Sequence, residues 1–283
     1  MRILSPTISQ HMETETVAMK RAVLRRLPKS EFSVLATVYK QPRRAEALAE
    51  RAYSLHTDWD SLDDGRRSAA CLFEWGRLQI FTAVEVLPRL EASFVEFFHV
   101  TLADKRWRVP PKAASVDAFH RPRRKVRAAI QYLRDNDLEP IYVVAYEISG
   151  DRNLTGDYSF EPHAHILIGG VRKAVLKAAF RVRLPRSMRG RDKPVKIKPV
   201  PPSQLGNVLG YLTKVKPQDR VEFRRSDGRL DRKSNRMPPQ AEAQWLRCLA
   251  LVPMTQLVQF GGFADSLSTR FSHREMATLI GAL

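Results

Sequence analysis

The chain has 283 residues, 43% of them hydrophobic, enough to bury a real core in one or two domains. Its 48 Lys and Arg against 30 Asp and Glu leave a net charge of +18, a field that favours polyanions, nucleic acid ahead of an anionic membrane surface. Only Cys71 and Cys248 occur, far apart and with no CxxC, which argues against a disulfide framework or cysteine-ligated zinc.

Residues 1–75 read as a polar, mainly helical accessory region, with apolar residues at helical spacing in TVAMKRAVLRRL and RRAEALAERAYSL. The start lacks a basic segment followed by an apolar one, so secretion is not expected, and no apolar run is long enough for a transmembrane helix. A cytoplasmic protein that does not touch membranes is the expectation. LQIFTAVEVLP (78–88) reads as a strand closed by Pro88, and FVEFFHVTLADKRW (94–107) as a stronger one, rich in β-branched and aromatic residues. DAFHRPRRKVRAAIQYLRDND gives a helix with Val126, Ile130, Leu133 and Leu138 on or near one stripe and Arg123, Arg124 and Lys125 on the other face. IYVVAYEIS (141–149) is a strand, GDRNLTGDYSFEP a turn-rich connector, and HAHILIGG (163–170) the returning strand of a hairpin. VRKAVLKAAFRVRL reads as a helix and PVKIKPV as a short strand. Ser203 is placed to cap the helix SQLGNVLGYLTKV, whose buried stripe is Leu205, Val208, Leu209 and Leu212. A basic segment around Ser226-Asp227-Gly228 follows, as two short strands or a mobile arm. Helices end the chain, the last with a capping box at Ser272 and Glu275. The sequence thus divides into an accessory region (1–75), a core (76–217), and a basic arm with C-terminal helices (218–283).

Chemistry concentrates in two places. In a strand, residues i and i+2 share a face, so His163 and His165 present two imidazoles together, half of a metal site. A carboxylate is the usual complement for a hard, phosphate-activating ion. Glu147, near the end of the preceding strand, is the expected third ligand, with Glu161 and Asp157 as rivals. Tyr211 and Lys214 stand three apart at helical spacing, which puts them on one face. A phenol with a pKa near 10 is a poor nucleophile at neutral pH, and a neighbouring ammonium or metal favours its phenolate. From Val171 to Lys198 there are eleven Lys and Arg and one acidic residue, which suggests a phosphate track through Arg172, Lys173, Arg181, Arg183, Lys196 and Lys198.

These residues resemble the HUH endonuclease superfamily, and within it the single-tyrosine initiators of rolling-circle replication in plasmids and phages. FFHVTLA is similar to its hydrophobic-strand motif, PHAHILI to its His-hydrophobic-His motif, and GYLTK to its Tyr-x-x-Lys motif, in the family's order across residues 94–215. Ala164 is smaller than the usual central residue. The resemblance implies an α+β fold, a central antiparallel β-sheet flanked by helices in a ferredoxin-like arrangement. It implies Mg2+ or Mn2+ on His163, His165 and Glu147, with Tyr211 as the nucleophile that ends as a 5′-phosphotyrosine, and Lys214 beside it. The implied partners are single-stranded or hairpin origin DNA, a host DNA polymerase and, since no G-x-x-x-x-G-K-[ST] occurs, a host helicase. A conjugative relaxase or single-strand transposase would use the same residues. His99-Val100-Thr101 also matches one half of the paired H-x-T signature of the metal-independent 2H phosphoesterases, but His165 occupies the place of the second Thr. A non-catalytic basic DNA-binding regulator is the remaining alternative.

Overall fold

The computed structural model describes residues 69–263, apart from 71–74, 76–77, 80, 94, 182–193 and 215–216. In chain order, a π-helical turn Thr82–Val86 leads into α1 (Leu87–Ala92), followed by β1 (Phe97–Ala103) and α2 (His120–Arg134). Then come β2 (Ile141–Arg152), β3 (Tyr158–Gly169), α3 (Lys173–Arg181), β4 (Val195–Val200) and α4 (Leu205–Leu212). The chain continues with β5 (Gln218–Arg224), β6 (Leu230–Arg236), α5 (Pro239–Ala250), α6 (Met254–Leu257) and β7 (Val258–Gly261). The expected helices of residues 1–68 and the capping box at Ser272 lie outside the described residues.

The β2–β3 hairpin is the spine. The strands run order β4-β1-β3-β2-β5-β6, with β7 paired to the first half of β2. Pairing is antiparallel from β4 through β2, as expected, but β5 runs parallel to the end of β2, so the seven-stranded sheet is mixed. The fold class is α+β. Ile166, Leu167 and Ile168, fully buried, give the central strand β3 an apolar run with no wet face. Helix α2 covers one side of the sheet, with the Arg123 guanidinium over the Tyr146 ring. Helix α4 covers the other, where Tyr211 meets His165. Between β7 and β5 the outer edge of β2 would leave a carbonyl bare; the Trp245 indole N–H donates to Ile148 O there at 2.9 Å. Pro162, which has no N–H to give, falls just past the last residue of the β1 pairing. Ile166→Ala in this strand is expected to cost about 2–5 kcal/mol, read as a lower urea midpoint at unchanged slope.

Several local expectations change. Residues 78–88 are not a strand: every described residue from 78 to 92 is helical. Leu78, Phe81, Thr82, Val86 and Leu90 are all buried, and that spacing is helical rather than alternating. The β-branched and aromatic content suggested a strand, but packing against α4 decides the conformation. Strand β1 stops at Ala103 because the Asp104 carboxylate accepts from Arg106 N and starts a 3-10 turn. The hairpin strands run further than expected and leave a connector of only 153–157, closed by the Asn153, Thr155 and Asp157 side chains. Ser203 does not cap α4. Pro201 and Pro202 start a 3-10 turn ahead of it, Ser203 lies inside that turn, and α4 has no side-chain cap. The basic segment after Pro217 is the β5–β6 hairpin, its tip turning at Gly228 with φ +78.

Candidate metal centre

Strand register builds the site. Glu147 stands opposite His163 and Ala145 opposite His165. On the other side of β3, Thr101 is opposite His165 and Ala103 opposite His163. Cross-strand neighbours share a face, as do residues i and i+2. One face of the sheet therefore carries Glu147, His163, His165, Thr101 and His99, and α4 lies over it.

Both imidazoles are buried, at 1% exposure for His163 and 3% for His165. Glu147, His163 and His165 each offer a ligand atom, all within 4.8 Å of one another. The His163 ring donates Nδ1–H to Glu161 O at 3.0 Å, which leaves a lone pair on Nε2. That Nε2 lies 3.5 Å from Glu147 Oε2. Neither His163 Nε2 nor Glu147 Oε1 makes a hydrogen bond, although both are buried. Buried polar atoms without partners are costly, and a bound cation would satisfy these at once. Two imidazoles and a carboxylate could hold a metal ion.

The electrostatics agree with that use. Burial holds His165 well below its ordinary value, against the pull of Glu147. Burial, with Lys198, lowers His99 to about 4. Both rings are neutral at pH 7, as a metal ligand must be. Burial opposes ionisation of Glu147, but the imidazoles of His165 and His163 and the Lys214 ammonium outweigh it and bring the carboxyl to about 2. Lys214 brings a full positive charge to this carboxylate, its Nζ 3.9 Å from Oε2.

Tyr211 closes the site from α4. Its hydroxyl lies 3.3 Å from His165 Nε2, and its ring packs edge-on against His165 and His99. Lys214 lies beyond the end of α4 rather than on its face, since Thr213 is the C-cap. Lys214 N donates to Tyr211 O in a last tight turn, and Nζ reaches 3.2 Å from the Tyr211 ring centroid. The Gln79 side chain, bonded to Thr213 O, anchors this end of the helix to the segment before α1. The two residues meet through their three-residue spacing, carried by this final turn just past the end of the helix.

The rival carboxylates stand elsewhere. Asp157 is exposed in the hairpin turn, bonded to Thr155 and Asn153. Glu161 shares the face of His163, but its carboxylate turns to Arg108 at 3.8 Å and Arg220 at 3.9 Å. The basic residues divide. Lys198 is opposite His99 and Lys196 opposite Thr101, both exposed on the site's own face. Arg124, Lys125, Arg172 and Lys173 belong to the α2–α3 layer on the other face. Arg123 is partly buried there, its guanidinium bonded to Gln256 Oε1 and O and lying over Phe119 and Tyr146. The Arg181 side chain and Arg183 lie outside the described residues. Sequence reasoning missed His99 and Thr101 as neighbours of the site: their i, i+2 alternation puts them on one face of a strand, but nothing local says that this strand pairs with His-Ala-His.

No known protein family, curated protein or solved structure matches the chain. Among the described residues no helix is long and apolar enough to cross a membrane.

Proposed function

We propose that the chain is a sequence-specific, metal-dependent DNA nickase and strand transferase of the HUH kind, which starts rolling-circle replication on single-stranded or hairpin origin DNA. The observation that carries this reading is the meeting of a tyrosine hydroxyl with the buried Glu147–His163–His165 group, 3.3 Å from His165 Nε2. A magnesium or manganese ion held by those three residues would polarise the scissile phosphate as a Lewis acid. Tyr211 Oη forms the new bond to phosphorus as the bond to the 3′-oxygen breaks. That leaves a 5′-phosphotyrosine and a 3′-hydroxyl for a host polymerase to extend, with strand separation assigned to a host helicase. Lys214, over the Tyr211 ring and beside Glu147, favours the phenolate and offsets negative charge developing at the phosphate. A relaxase or single-strand transposase would use the same residues for the same nick, and the sequence of the captured strand distinguishes them.

The test is a search for the adduct. The full chain is incubated with Mn2+ and a pool of random single-stranded and hairpin DNA, then detergent-resistant species are digested and sequenced. An adduct on Tyr211 that chelator prevents is the expected result. Metal-independent cleavage would point instead to 2H phosphoesterase chemistry, and DNA binding without any adduct to a regulator.

Lys196 and Lys198 support a strand path across β4 into the site. The Lys196→Ala, Lys198→Ala double variant is expected to weaken single-stranded DNA binding about equally for all sequences. The slope of log affinity against log salt should shrink by roughly 0.7 for each lost phosphate contact. An unchanged slope would place the strand elsewhere.

A further inference from the structure

The H-x-T of β1 has no part in that chemistry, yet both of its polar side chains lie within hydrogen-bond distance of His165. His165 Nδ1 lies 3.2 Å from His99 Nε2 and 3.3 Å from Thr101 Oγ1. Its other nitrogen, Nε2, is the one that faces Tyr211. An imidazole that offers an Nε2 lone pair to a metal carries its proton on Nδ1. In a ring exposed by only 3%, that N–H needs an acceptor. Among the described residues, the groups at hydrogen-bond distance are His99 Nε2 and Thr101 Oγ1.

We propose that His99 and Thr101 are positioning residues: together they accept the Nδ1–H of His165 and so fix the tautomer and ring angle that present Nε2 to the Glu147–His163 group and to Tyr211. The inference rests on the metal-centre reading and deepens it. The two histidines are then held by different devices. His163 gives its Nδ1–H to a backbone carbonyl of its own strand, Glu161 O, which no side-chain substitution removes. His165 has no such carbonyl and depends on side chains that the β1–β3 register places there, Thr101 directly opposite it and His99 two residues earlier on the same face. The His99 ring also packs against Tyr211, with centroids 5.8 Å apart, so the residue that orients the ligand also walls the nucleophile.

The experiment compares wild type with His99→Gln, Thr101→Val and the His99→Leu, Thr101→Val double variant. Mn2+ binding is titrated, and the imidazole nitrogens of the metal-free protein are observed by 15N NMR. In wild type, His165 should be protonated on Nδ1. The double variant should bind Mn2+ roughly 10–100-fold more weakly, the usual loss when the hydrogen-bond partner of a metal ligand is removed, and its His165 proton should move toward Nε2. His99→Gln should keep affinity within about 3-fold, because its amide oxygen can stand where the imidazole Nε2 stood. A wild-type His165 protonated on Nε2, or a double variant that binds Mn2+ like wild type, would overturn the proposal. If the double variant does not fold, the wild-type nitrogen spectrum decides alone. Failure of the wild type to bind Mn2+ would instead remove the metal-centre reading, and the tautomer remains measurable without metal.

Discussion

Tyr211→Phe is expected to abolish covalent adduct formation, a fall of at least about 10⁴-fold, while Mn2+ binding and DNA affinity stay within about 2-fold of wild type. The substitution removes one oxygen. The ring keeps its edge contacts with His165 and His99 and its place under the Lys214 ammonium. Only the hydroxyl at 3.3 Å from His165 Nε2 goes, a contact worth about 1 kcal/mol to stability. A large kinetic loss without a structural one is therefore the signature of a nucleophile. Lys214→Met, in the same single-turnover assay, should slow the adduct by roughly 10²–10³-fold, since it removes charge stabilisation and leaves the attacking atom. Adduct persisting in Tyr211→Phe would mean that another group attacks. No adduct even in wild type, with DNA affinity unchanged by the substitution, would leave a DNA-binding protein with no chemistry at this face.

What could be read from the sequence follows the range over which each signal acts. Helix α2 was legible because Val126, Ile130 and Leu133 repeat at helical spacing, and all three are buried. Glu147 was legible because hairpin pairing is local: even with the connector read as longer than it is, the end of β2 returns beside the start of β3. The segment 78–88 was not, since its conformation is settled by α4, more than a hundred residues later. His99 and Thr101 escaped for the same reason: β1 pairs with β3 from more than sixty residues away, and no local pattern sets that register. Charge was the least informative signal. Arg123 sits in a run of basic residues but is bonded to Gln256 and stacked on two aromatic rings, whereas Lys196 and Lys198 reach the site's own face.

Glu147→Gln is expected to weaken Mn2+ binding by more than about 100-fold, beyond the usual loss for a residue that only orients a ligand, with DNA affinity little changed. The carboxylate is the one anion of the group, and it already faces an ammonium at 3.9 Å. Two unit positive charges about 4 Å apart repel by about 4 kcal/mol at the effective dielectric of a protein surface. A cation entering beside Lys214 thus depends on Glu147 both as a donor and as the charge that offsets the ammonium. Glutamine keeps the shape and loses the charge, so a large effect would be electrostatic rather than steric. His163→Ala should abolish binding by a different route, removing the Nε2 lone pair that the Glu161 carbonyl holds in place. It opens a small cavity, so its fold is checked by circular dichroism and its melting temperature. Lys196 and Lys198 lie on another strand, two places across the sheet from His163, and the DNA track should survive both changes. Nicking lost with DNA affinity kept would separate the metal group from strand binding. Parallel loss of the two in the charge-only variant would mean that Glu147 holds the sheet together, and the chemistry would have to be sought elsewhere.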